Sequence, residues 1–253
     1  MLYVIVIAGC KSNDRFTIEG KFENAAPPGK IYLFAMVNNN SIPVDSTVLT
    51  EHGEFKFSRS TKAVDFFKVA ANQNEYVVIA QNGDRINLTA DLNDQSMAYQ
   101  VSGAAEADKL QELNIYKNKY NAKMAAIQEN FDKQVAAHPD KREMIADQLR
   151  PELIKVSNEM ITFILKFAND NPNALTSFYA MNSLNPSEYE KEFIAYSDKI
   201  KSKFNDNQAV TDFLVRMAKL KSVQVGQDAP SFTMNSIEGK PVSLSDFKGK
   251  YVL

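Results

Sequence analysis

The sequence predicts an α+β chain of several units: an antiparallel β-sandwich or barrel first, then a helical segment, then a short return to β structure. Three observations carry this. Between residues 16 and 90 apolar side chains recur every second position, the period of a half-buried strand. From 110 to 167 they recur every third or fourth, the period of a helix face. Glycine is absent between Gly103 and Gly226, and beyond Val225 the chain is again punctuated by Gly, Pro and Ser.

The 253 residues are 44% hydrophobic and 24% charged, the balance of an ordinary globular chain. Lys and Arg number 29 against 31 Asp and Glu, so a nucleic-acid-binding surface has no support. Cys10 is the single cysteine, which excludes an internal disulfide, a Cys-based zinc site and a C-x-x-C pair within these residues. With two histidines, His52 and His138, a His-rich metal site is excluded as well, and no cofactor is expected.

Residues 1–15 read as a lipoprotein signal and tether. The apolar run 2–8 ends in Gly9-Cys10 and is followed by polar Lys11 to Arg15. Ile7-Ala8-Gly9-Cys10 resembles the bacterial lipobox, which would make Cys10 the lipid attachment point. The run is too short to span a bilayer, and it lacks the Lys or Arg that ordinarily precede a signal's apolar core. The other reading of Cys10 is a small hydrophobe closing a buried strand; the polar residues after it favour the anchor.

Residues 16–103 form the β unit, with strands expected at 16–22, 30–34, 54–58, 64–69, 76–79 and 85–90. Pro27-Pro28-Gly29, Glu51-His52-Gly53 and Asn82-Gly83-Asp84 are the turns between them. Asn38 to Ser41 reads as a polar loop. Asp45 and Glu51 are too scattered for an acid–base pair, and His52 falls in a turn, so this unit is a binding or scaffolding module.

Residues 104–222 are the helical segment. Leu110, Leu113, Tyr116, Tyr120, Met124, Ile127, Phe131 and Val135 share one face of a first long helix. Ile145, Leu149, Leu153, Val156, Met160, Ile164 and Phe167 share a face of a second, and the two pack antiparallel. Pro139-Asp140 separates them. Pro151 marks a kink or the first turn of a new helix. Shorter helices follow at 174–183, 187–204 and 208–222, with Ser187 a cap for the second. Lys117, Lys119 and Lys123 read as a solvated face, and His138 as a loop residue.

Residues 223–253 carry the functional signal. A hairpin is expected from 232–234 and 242–244 around Glu238-Gly239, then a helical turn at Ser245-Asp246, then a strand beginning at Tyr251. Gly226-x-x-Ala229-Pro230-x-Phe232, Gly239-Lys240, Leu244-Ser245-Asp246-Phe247 and Lys248-Gly249-Lys250-Tyr251-Val252-Leu253 resemble the opening of a thioredoxin-like domain. The resemblance is to thiol–disulfide oxidoreductases of the TlpA/ResA type, related to the alkyl hydroperoxide reductase/thiol-specific antioxidant group. It implies a Trp-Cys-x-x-Cys motif roughly ten residues past Leu253, at a helix N-terminus that lowers the pKa of its first cysteine. It places no catalytic residue on any position here.

The expectation is therefore the N-terminal portion of a membrane-anchored envelope oxidoreductase, truncated within a third domain and inactive by itself. Its partners would be the membrane, through lipid on Cys10, and a protein or small-molecule thiol or disulfide. Two alternatives stand beside it: a thiol peroxidase of the same superfamily, with one peroxidatic cysteine, and a non-enzymatic envelope lipoprotein that binds a ligand or serves structure alone.

Overall fold

The computed structural model describes residues 14–26, 29–37 and 40–251. Eight strands come first: β1 (Phe16–Glu23), β2 (Lys30–Val37), β3 (Asn40–Val48), β4 (Glu54–Arg59), β5 (Asp65–Ala71), β6 (Asn74–Ala80), β7 (Arg85–Asp91) and β8 (Tyr99–Ser102). They form two four-stranded sheets, ordered β4-β1-β7-β8 and β3-β2-β5-β6. The architecture is a sandwich rather than a closed barrel.

The period of two has the expected consequence. Phe16, Ile18 and Phe22 of β1 face inward with Ile86 and Leu88 of β7, against Leu33, Val69, Tyr76 and Val78 of the other sheet. The aromatic rings meet across the layers, Phe16 with Phe67 at 4.7 Å and Phe22 with Tyr76 at 5.3 Å between centroids.

Three expectations for this unit are corrected. The sheets are antiparallel except at β1 and β7, which run parallel with Gly20 opposite Leu88. In-out alternation is the same for both strand directions, so the pattern could not reveal this. Strands β3 and β8 were not anticipated. β3 is an edge strand, exposed or half-buried throughout, with Pro43 beside the shift in register at Leu33/Phe34, and so lacks an alternating signal. Its first residues, Asn40 and Ser41, pair with Val37 and Met36 rather than forming part of a polar loop; Asn38 and Asn39 lie outside the described residues.

Helices α1 (Ala105–Ala137) and α2 (Arg142–Asp170) follow, joined by a 3-10 turn at Pro139–Lys141. They pack antiparallel. Tyr116 stacks on Phe163 at 3.7 Å, Lys123 pairs with Glu159 at 2.6 Å, and Arg142 lies over the Phe131 ring at 4.9 Å. All eight predicted stripe residues of α1 are buried or half-buried. In α2, Leu153 is exposed instead. The helix runs unbroken through Pro151, so no new helix starts there; the proline sits on an exposed face.

The start of α1 lies along β6 and β8, the edge strands of the two sheets. It covers that side of the sandwich, an arrangement that protects strand edges from foreign pairing. Gln111 Oε1 accepts from the Val101 backbone N–H at 2.8 Å, satisfying one edge donor.

Helices α3 (Leu175–Met181), α4 (Glu190–Ile200) and α5 (Gln208–Ser222) complete the helical part. The expected cap at Ser187 is not formed. Asn185 Oδ1 accepts from the Ser187 N–H in a turn, and α4 begins only at Glu190. The last elements are β9 (Thr233–Asn235), β10 (Pro241–Ser243) and a 3-10 turn at Leu244–Phe247. The hairpin turns at Gly239, which takes φ 76°, a conformation suited to glycine. No helix among the described residues is long and apolar enough to cross a membrane.

Candidate functional site

The outer face of the β3-β2-β5-β6 sheet is only partly covered by helices. Where α3 and α5 lean on it, Phe66 of β5 is buried beneath Phe178 and Tyr179, each ring at 6.2 Å. Beside this contact opens a cleft of about 870 Å³. Its sheet wall comes from Met36, Val37, Phe66, Lys68, Glu75 and Val77, and its helix wall from Tyr179, Asn182, Asp206, Asp212 and Arg216. A mixed apolar and polar concavity between two structural layers is the usual form of a ligand site.

One carboxylate and one amide, both bonded to backbone groups, hold the helices of this region in place. Glu106, on the first turn of α1 and 9% exposed, accepts from the N–H groups of Leu175 and Thr176 at 2.6 and 2.9 Å and from the Thr176 hydroxyl at 2.7 Å. It supplies the cap that Ala174 cannot give α3. Asn207 does the same for α5: its Oδ1 accepts from Val210 N–H, and its Nδ2 donates to Val64 O and Asp65 Oδ1. A further bond, between Ser177 Oγ and Tyr196 Oη at 2.6 Å, ties α3 to α4.

Most charges of the cleft are satisfied. Lys68 pairs with Glu75 at 2.7 Å, and Asp212 accepts from Gln208 at 2.8 Å. Burial pushes the Asp65 carboxyl above its ordinary pKa, against the opposing bonds from Phe66 N–H and Asn207. Burial likewise raises Tyr179.

The inner neighbourhood of Tyr179 differs. Lys117 Nζ lies 5.6 Å from the centre of that ring, and its pKa is lowered by burial alone. The expected solvated lysine face is thus corrected at this position, which α1 packs against α3; Lys123 instead pairs with Glu159. Tyr99 Oη donates to Val77 O at 2.9 Å and is raised well above the tyrosine range, chiefly by burial. Asn114 stands near enough to favour ionised Tyr99, and its buried Nδ2 makes no hydrogen bond among the described residues.

Other candidates do not assemble. Asp45 and His52 lie on β3 and in the turn before β4, His52 and His138 are exposed, and no metal-binding cluster occurs among the described residues. Asp45 Oδ1 is used by the Ser46 N–H. Cys10 lies outside the described residues. A shallower depression of about 650 Å³ across β1 and β4 is bridged by the Lys56–Glu19 pair, 3.0 Å.

Sequence reasoning missed the cleft because its walls come from positions as far apart as Met36 and Arg216. Asn207 did leave a signal, an Asn immediately before a helix. Glu106 left none, since its partners are about 70 residues away.

With this geometry in hand, comparison with known proteins is brief. Residues 16–110 match a domain of unknown function (DUF4369). The match takes in all eight strands of the sandwich and the opening of α1, including Glu106. A solved structure of a proposed cell adhesion protein from Bacteroides ovatus is 16% identical. The alignment covers 36% of this chain and 43% of that one, with a TM-score of 0.22, too low to carry an argument. No curated protein matches the chain.

Proposed function

We propose that this chain is the N-terminal portion of a membrane-anchored thiol–disulfide oxidoreductase of the cell envelope. Cys10 is the lipid attachment point, the sandwich with its cleft is a binding module, and the helices are a spacer. The observation that supports this reading most is the segment after Val225. Its ordered motifs resemble the opening of a thioredoxin-like domain, and its hairpin displays Phe232, Met234 and Ile237 to solvent, at 51, 67 and 108% exposure. Such side chains suit an element whose core lies with further sequence. The redox partner would be a protein or small thiol.

The test is to express the chain together with the codons that follow it in its gene, and to assay insulin disulfide reduction by dithiothreitol. Turnover by the longer protein, with none above background for these 253 residues, is the expected result. A lone downstream cysteine that consumes peroxide would replace the oxidoreductase with a thiol peroxidase. Absence of both cysteine patterns would leave a non-enzymatic binding module. Replacing Cys10 with Ser should release the protein from the membrane fraction; retention would overturn the anchor.

A further inference from the structure

The two ends of the sandwich differ in charge. At one end β1, β5 and β7 begin, β4, β6 and β8 finish, and β2 turns into β3. Hydrogen bonds tie its segments together. Thr17 N–H donates to Asp84 O and Gly83 N–H to Arg15 O, both at 2.9 Å, while Thr61 and Asn82 exchange bonds at 2.9 and 2.7 Å. Arg15, Arg59, Lys62 and Arg85 gather here, with Arg59 opposite Phe16 and Arg85 opposite Thr17. None of these cations takes part in an ion pair among the described residues. Arg15 directs its donors to neutral groups, the Ser58 hydroxyl at 3.1 Å and the Ser58 carbonyl oxygen.

The acids of this end are Asp14, Asp65 and Asp84. Asp65 is engaged by Asn207 Nδ2 and Phe66 N–H, and Asp84 Oδ2 accepts from Gln81 N–H at 3.0 Å. The helices add Asp206, on the far wall of the cleft from Lys62, and Asp108 in the first turn of α1. The positive surface is accordingly the sandwich end itself, around Arg15, Arg59 and Arg85. At the opposite end the turns and strand tips carry Glu23, Glu51, Glu54, Asp91 and Asp94 against Lys21 and Lys30. The sandwich is thus polarised along its strands.

The positive end is also where the chain arrives from Cys10. Phe16 lies six residues on from Cys10, and six residues of chain span at most about 20 Å. A lipid on Cys10 therefore holds this end close to a bilayer, within reach of contact. Anionic headgroups attract basic side chains over about a Debye length, roughly 8 Å at physiological salt. We propose that the end bearing Arg15, Arg59, Lys62 and Arg85 docks on the anionic phospholipid headgroups of the bilayer that holds the anchor, with the acidic end turned away. The proposal rests on the reading of Cys10 as the lipid attachment point: the lipid retains the protein, and the charges set which end faces the membrane. Since the whole chain carries a net charge of −2, the attraction comes from this polarity and not from bulk charge.

The test sediments the whole unlipidated chain with vesicles of equal phosphatidylglycerol and phosphatidylcholine, and with vesicles of phosphatidylcholine alone. The apolar run 2–8 meets both alike, so the difference reads the charges. Stronger partition onto the anionic vesicles is expected, with the difference abolished in about 1 M salt, where the Debye length falls to about 3 Å. Lys62→Gln and Arg85→Gln change exposed side chains, and each should weaken binding to the anionic vesicles about fivefold, the effect of one basic residue at such a surface. Lys30→Gln, at the acidic end, should leave it within about twofold. Equal partition onto both vesicles, a difference that survives high salt, no loss with Lys62→Gln or Arg85→Gln, or an equal loss with Lys30→Gln would each overturn the proposal. These measurements need no lipid on Cys10, so a failed vesicle preference is distinct from a failure of the anchor, which the Cys10→Ser fractionation reads alone.

Discussion

Asn207 Nδ2 donates to Asp65 Oδ1 at 3.0 Å, joining the N-terminus of helix α5 to strand β5. The same side chain caps α5 through Val210 N–H, at 3.2 Å. One residue therefore fixes both walls of the cleft. Asn207→Ala removes the cap and the bond to a carboxylate, and should cost about 2–4 kcal/mol in urea unfolding. Asn207→Asp keeps an acceptor for the cap but sets a second carboxylate against Asp65. Its deficit should shrink in acid, as the pair takes up a proton. A deficit that does not change with pH would show that the Asp65 contact is unimportant.

Glu106 offers a similar case with the partners reversed. Its carboxylate meets three donors from Leu175 and Thr176, and all of them lie in the interior. Glu106→Ala leaves these donors unbonded and should destabilise by about 3 kcal/mol or more. Glu106→Gln retains one oxygen and should fall between. If Ala and Gln variants unfold at the wild-type midpoint, the carboxylate does not hold α3.

The contrast between these residues shows what the sequence could convey. Alternation from Phe16 to Ala90 and the three-four spacing from Leu110 to Phe167 are local, and burial follows them closely. Strand direction is not local: Gly20 meets Leu88 across a parallel pair whose side-chain pattern would serve an antiparallel one equally well. β3 was hidden because an exposed edge strand containing Pro43 needs no apolar period. Lys117 reads as solvated in sequence because it belongs to a lysine-rich face with Lys119 and Lys123; the ring that covers it, Tyr179, comes from 62 positions later. The cleft is built wholly from such long-range meetings. Hence the fold was largely legible and the site was not.

Gly20 gives the sharpest packing prediction. A Cβ placed there would sit 1.7 Å from the carbonyl oxygen of Leu88, an atom of the paired backbone with no freedom to move aside. Gly20→Ala should force β1 and β7 apart and cost about 3 kcal/mol, at the upper end for overpacking. Chemical unfolding measures this directly. An unchanged midpoint would contradict the close pairing of these strands.

The terminal hairpin should contribute little to stability. No residue beyond Leu220 belongs to the core or packs against it among the described residues. Strands β9 and β10 have three residues each, and so short a pair is marginal alone in water. Amide exchange over 233–243 should be fast in a dilute monomer, and a stop codon after Ser222 should leave the thermal midpoint unchanged. Strong protection there would mean that the hairpin docks on the body.

The lowered pKa of Lys117 makes stability depend on pH in a defined direction. Folding disfavours the ammonium because burial strips its water, so the unfolded chain holds the proton more tightly. The penalty is full below the lowered folded pKa. It fades as pH rises from there towards 10.5, the ordinary lysine value, since the folded lysine is then neutral. Lys117→Met abolishes the ionisation while keeping an unbranched stem that can lie on Tyr179. The variant should therefore melt above the wild type at neutral pH, with the gap closing as pH approaches 10.5. If the variant melts lower at every pH, the ammonium gains more from the Tyr179 ring than it loses in hydration, and no unmet charge exists at this position.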